Sequence, residues 1–169
     1  MLLDAFRHNS WATAELLGFC RGLDDATVRA TVPGTYGSIV DTLAHTIKSE
    51  ASYLARLAGA WPGYPWPQAD APSLELLAAR AAELPPVWER FLAGEVDTER
   101  TREGRGDDGT VYQYAAGVFL AQALHHANEH RAQVCTILGA LGHEPPDVSA
   151  WGYALATGRM TPKTAAMDH

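Results

Sequence analysis

Apolar residues recur at helical spacing through most of this chain. Leu2, Phe6, Thr13, Leu16, Leu17 and Cys20 predict a first helix from Leu2 to Gly22 or Leu23. Val32-Pro33-Gly34-Thr35 interrupts that pattern and precedes a second helix predicted from Tyr36 to Ala60. Its apolar stripe is Tyr36, Val40, Leu43, Ile47, Ala51, Leu54 and Ala58. The run from Trp61 to Pro67 is too rich in proline for a helix and reads as an anchored loop. Ser73 is a suitable N-cap for a third helix carrying Leu74, Leu77, Ala81, Leu84, Val87, Trp88 and Phe91, with Pro85-Pro86 expected to kink or split it. Val96 to Tyr112 is polar and turn-rich, with Asp108-Gly109 as a hairpin turn and too little chain for a sheet domain. A fourth long helix is predicted from Tyr112 to Leu141, closed by Gly142 and Pro145-Pro146. Asp147 is placed to cap a short fifth helix ending near Thr157. Four long helices joined by modest loops imply an all-α antiparallel bundle with a short extra C-terminal helix. The expected domain covers 1–158, with 159–169 as a C-terminal tail.

Composition narrows the function classes. The chain has 169 residues, enough to bury a core as one domain without disulfides, and its two cysteines form no disulfide framework. A net charge of -7 argues against a nucleic-acid partner. No apolar run reaches the roughly 20 residues that a membrane-spanning helix needs. Asp4 comes early and no basic stretch precedes an apolar run, so a signal peptide is not expected and the cytoplasm is the expected compartment. The partner expected is therefore a small molecule.

The candidate chemistry lies in the histidines. His8, His143 and His169 fall near element ends and read as surface groups. On the fourth helix, positions 119, 123, 126, 130, 134, 137 and 141 share one face and carry Phe, Ala, His, His, Val, Ile and Leu. Two imidazoles one turn apart thus stand inside an apolar stripe, spaced to bind one ion together. Metal ligation and hydrogen bonds to other helices account for such a pair equally well. His125 is rotated off the shared face. His45 is the remaining mid-helix histidine. Its own periodicity sets it opposite the Leu43/Ile47/Leu54 stripe, among Ser38, Thr42, Ser49 and Ser52, which favours a surface position.

Several short motifs in order resemble the DinB / YfiT-like family nearly end to end. They are His8-Asn9-Ser10-Trp11, Tyr36-Gly37-Ser38-Ile39, Thr42-Leu43-Ala44-His45, Glu50, and the run from Tyr53 to Leu57. His126-Ala127-Asn128-Glu129-His130-Arg131-Ala132-Gln133 is similar to the family pattern His-x-x-x-His-Arg-Gly-Gln. Ala132 stands where glycine is usual, a methyl group that bears on close helix packing. The run from Leu138 to Gly142, Pro145-Pro146, and the segment from Ala150 to Leu155 also fit. The resemblance implies an up-down four-helix bundle with a three-histidine metal site at His45, His126 and His130, overriding the surface reading of His45. The small hydroxyl residues beside His45, Ser49 among them, would then line the cavity.

Three neutral imidazoles leave open positions on a bound ion, the arrangement of catalytic sites. Zinc is the first expectation and nickel the second. Asp41, Glu129 and Gln133 are candidates to orient the imidazoles, and Arg131 to bind a cosubstrate carboxylate or an acid at the surface. The family includes thiol-dependent transferases, so the resemblance implies a metal-dependent transferase joining a low-molecular-weight thiol of the mycothiol, bacillithiol or glutathione kind to an electrophile. A metal-dependent hydrolase and a non-catalytic metal- or ligand-binding stress protein are the alternatives. A homodimer is also expected, because bundles commonly pair through exposed apolar faces and the family tends to dimerise.

Overall fold

The structure is a computed structural model and describes residues 2–59, 72–105 and 108–162. The proline-rich loop at 61–67 and most of the tail at 159–169 lie outside the described residues. The elements are α1 (Leu2–Cys20), α2 (Asp25–Arg29), α3 (Ile39–Ala58), α4 (Leu74–Ala93), β1 (Thr101–Arg105), β2 (Val111–Ala115), α5 (Ala116–Ala140) and α6 (Ala150–Ala156). The four long helices form the all-α bundle: α1 packs along α4, α3 along α5, and the pairs meet through α3–α4 and α1–α5 contacts. No described helix is long and apolar enough to cross a membrane.

The apolar stripes bury as their spacing requires. Val40, Leu43, Ile47, Ala51 and Leu54 of α3 meet Val134, Ile137 and Leu138 of α5 and Leu77, Leu84 and Trp88 of α4 in one core. Leu16, Leu17 and Cys20 complete it from α1. The helix starts are fixed by serines. Ser38 caps α3 through a reciprocal box, its hydroxyl accepting from Asp41 N and the Asp41 carboxylate accepting from Ser38 N. Ser73 caps α4 in the ordinary one-sided way.

Several boundaries differ from the sequence expectation. Helix α3 starts at Ile39 rather than Tyr36, because the serine box claims the first turn. Tyr36 therefore sits in the preceding loop and is 54% exposed. A short helix, α2, fills part of the first connection. Helix α4 runs unbroken through Pro85 and Pro86. These prolines withhold two helical donors from the carbonyls of Ala81 and Ala82. Ala82 is exposed, so solvent can serve its carbonyl, while buried Leu84 and Trp88 hold the backbone in place on either side. Helix α6 is capped by Ser149, not Asp147, whose carboxylate instead accepts from Ser149 N.

The largest difference is at the start of the fourth long helix. Residues 112–115 are strand, paired antiparallel with β1 in a two-stranded hairpin, and α5 begins only at Ala116. The hairpin is fastened to the end of α3. Arg102 donates to Leu57 O at 3.0 Å, and Gly104 lets the Arg56 guanidinium lie where a side chain would collide. Arg159, assigned to the tail, pairs with Asp4 at the start of α1 and lies over the Tyr153 ring.

Candidate metal centre

Helices α3 and α5 pack side by side, and His45 of α3 meets His126 and His130 of α5 at that seam. His45 Nε2 is 3.0 Å from His126 Nε2, and His130 Nε2 is 3.2 Å from the same atom. The three ligand atoms all lie within 4.8 Å of one another. Nitrogens bound to one ion at about 2.0–2.1 Å stand about 2.8–3.4 Å apart at octahedral or tetrahedral angles, a range that contains both separations from His126.

Hydrogen bonding around the cluster shows which lone pairs are free. The Tyr36 backbone N–H, which can only donate, reaches Gln133 Oε1 at 3.1 Å and so fixes which end of that side-chain amide is oxygen. His130 Nδ1 lies 3.1 Å from the same oxygen and must donate to it. A neutral His130 then presents a bare lone pair at Nε2 towards His126. Three imidazole nitrogens facing one another with at most one proton between each pair make a poor hydrogen-bonded group and a good cation site.

Protonation favours the same use. Burial, then the neighbouring histidines, hold His126 down to about 4. Burial, the His130 ring and the Lys48 charge lower His45 as well. Both are therefore neutral and ligand-ready at pH 7. Their orientations are fixed by rings: Tyr36 stacks on His45 at 4.3 Å and 21°, and meets His130 edge-on at 5.2 Å. Tyr53 meets His126 edge-on at 5.9 Å.

A family comparison is decisive at this point: the sequence profile of the DinB family matches residues 1–164. The chain belongs to the DinB family. A search of curated proteins finds no match. Membership agrees with a possible metal site at the three histidines, and the cluster geometry stands on its own.

Of the other candidates, Gln133 touches the cluster directly. Asp41 lines a cavity of about 630 Å³ together with Tyr36, Gly37, Ala44, His45, Lys48 and Pro72, but its carboxylate caps α3 and does not bond an imidazole. Of the three imidazoles, His45 lines that cavity, which opens on the α3 side of the cluster. Ser49 is half-buried one turn beyond His45, with no side-chain hydrogen bond among the described residues. Glu129 is exposed and pairs with His125 at 3.8 Å, because the residue before His130 is turned about 100° off its face. It orients no ligand. Ala132 is exposed too, so its methyl group meets solvent rather than a helix.

Arg131 requires the larger correction. It faces the core, 4% exposed, and binds neither surface acid nor cavity. Its guanidinium donates to Asn9 Oδ1 at 2.7 Å and to Thr13 Oγ1 at 3.2 Å. Asn9 Nδ2 donates to Glu50 Oε2 at 3.1 Å, and Trp88 Nε1 donates to Glu50 Oε1 at 2.8 Å. One buried polar chain thereby ties α5, α1, α3 and α4 together. Burial raises the Glu50 carboxyl and brings Arg131 down to about 10. His8, read as a surface group, is half-buried and donates to Val148 O at 2.9 Å, packing with Trp11 and Tyr153 where α6 docks.

Sequence reasoning missed Tyr36 and Tyr53 as walls of the site. The spacing of Tyr53 eight residues after His45, two turns along one face, was a usable signal. Tyr36 offered none, since a loop and a residue 97 positions away position it.

Proposed function

We propose that this protein is a metal-dependent transferase that joins a low-molecular-weight thiol to an electrophile. The observation that carries this reading is the convergence of three imidazoles, with no carboxylate in the cluster among the described residues, beside an open cavity. A divalent ion there, zinc first and nickel second, would supply Lewis acidity that favours the thiolate form of a bound thiol. The chain's own residues do the rest. Gln133 sets the His130 tautomer, and Tyr36 and Tyr53 keep the imidazole planes turned inward. The cavity on the α3 side gives a small molecule room beside His45.

The protein's own thiols are unsuited to the attack. Burial pushes Cys20 up to about 12 and raises Cys135, so both stay protonated at neutral pH. The reacting sulfur must come from a cosubstrate.

The test is adduct formation between an added thiol and 1-chloro-2,4-dinitrobenzene by zinc- or nickel-loaded protein. The expected outcome is a thioether product that requires thiol and metal and disappears with His126→Ala. Equal product with His126→Ala would sink the reading. Turnover of ester substrates without thiol would replace it with hydrolysis, and tight metal binding with no turnover on any panel would make the protein a binding protein.

A further inference from the structure

Among the described residues, one cation, Lys48, lines the cavity beside the imidazoles, and the sequence makes it unusual. The chain has two lysines, Lys48 and Lys163, and only Lys48 falls among the described residues. It lies three residues after His45, about 4.5 Å further along the helix axis and on nearly the same face. Both side chains line the same cavity. Lys48 is exposed and has no ion-pair partner among the described residues.

The cavity's acid does not neutralise it. Asp41 is two turns away, about 10.5 Å along the axis. Its carboxylate accepts from Ser38 N and from the Ser38 hydroxyl at 2.6 Å, at the positive end of α3. Among the described residues the imidazole cluster contributes no negative charge either. On a chain of net charge -7, Lys48 gives this corner a local positive charge.

We infer that the cavity selects thiols bearing a carboxylate, with the carboxylate held by Lys48 and the sulfur directed at the His45/His126/His130 cluster. This rests on the thiol reading above and specifies its substrate class: a mercapto acid rather than a neutral or cationic thiol. The Tyr36 ring, stacked on His45, and Ala44 line the same cavity as Lys48.

Cobalt-loaded full-length protein tests this through the near-ultraviolet band of a thiolate–cobalt bond. Titrating 3-mercaptopropionate and 2-mercaptoethanol into wild type and Lys48→Gln compares both thiols in both proteins, so intrinsic thiol basicity cancels. The expected result is that Lys48→Gln weakens 3-mercaptopropionate about fivefold relative to 2-mercaptoethanol, the upper range for an exposed ion pair. Added salt should shrink the wild-type difference. An unchanged ratio overturns the inference while leaving the thiol reading in place. If no thiol produces the band, the thiol reading fails, and a second measurement decides the carboxylate. Reductive ¹³C-methylation keeps the lysine charge and gives separate NMR signals for two lysines. Succinate or 3-mercaptopropionate should move the Lys48 signal and 2-mercaptoethanol should not; a Lys48 signal indifferent to both acids overturns the inference.

Discussion

His130 and Arg131 are neighbours in sequence and belong to two polar clusters built on opposite terms. Arg131 points into the bundle, where it joins Asn9, Thr13, Glu50 and Trp88 in one hydrogen-bonded chain. His130 points to the seam of α3 and α5, where the Nε2 atoms of three imidazoles converge with at most one proton between each pair. The first cluster satisfies itself and therefore serves the fold. The second shares too few protons among three facing nitrogens, a deficit that a bound cation would fill. Helices α3 and α5 contribute to both, Glu50 lying five residues after His45 just as Arg131 lies five after His126. Polar residues in a core are thus informative by whether their partners close the set.

Breaking each cluster should give different kinds of loss. The largest effect is expected for His126→Ala, because His126 Nε2 stands between the other two ligand atoms. Its metal affinity, measured by competition with a chromophoric chelator, should fall by more than the ~100-fold that loss of an outer partner costs. The fold should survive, since His126 is only half-buried. Arg131→Met should do the reverse. Leaving Glu50 buried without its countercharge should cost about 3–5 kcal/mol in urea unfolding. Combining it with Glu50→Met should recover part of that loss, and strict additivity would show that the two charges are not coupled.

A pH series sharpens the same point. Glu50 has its folded pKa raised by burial, so the folded state holds its proton more tightly than the unfolded chain does. Its contribution to stability is then present below the ordinary glutamate range and is lost as pH rises through the raised folded value. Glu50→Gln should flatten that descending arm of the stability–pH curve. A curve of unchanged shape would assign the pH dependence to other groups.

Smaller effects are expected at the edge of the metal cluster. Gln133→Leu removes the acceptor that fixes the His130 tautomer and should weaken metal binding about tenfold with little change in stability. Tyr36→Ala removes ring contacts with two of the three imidazoles and should weaken it by roughly a further 1 kcal/mol at most, or about fivefold. An effect of Tyr36→Ala larger than that of Gln133→Leu would mean that the ring, not the hydrogen bond, orients the cluster.

How legible each region was in the sequence follows from where its partners lie. The stripes of α1, α3 and α4 were readable because burial on one face imposes the helical period. The His126/His130 pair was readable for the same reason, as an interruption of such a stripe. His45 was not, because α3 packs against both α4 and α5, and a residue at the rim of one contact falls among polar positions when a single stripe is assumed. Only the family resemblance brought it in. Arg131 misled because a charged residue is ordinarily exposed, and its partners come from residues 118 to 122 positions away. The hairpin turn at Asp108-Gly109 was visible, but its strands are mostly exposed and carry no apolar alternation, so their extent was not.

That hairpin bears on how freely different parts of the chain can change. Helix α5 begins at Ala116, and its N-cap residue Ala115 supplies no capping side chain. Instead, the amides of Ala116 and Gly117 donate to the main-chain carbonyls of Arg100 and Thr98. Helices α3 and α4 each depend on one serine for their start, and a single base change can remove it. The start of the helix carrying two of the three histidines depends on main-chain amides, which every residue but proline possesses, and on the close approach of Gly117 to Thr98. The exposed side chains of the hairpin can therefore change while the register of His126 and His130 is preserved.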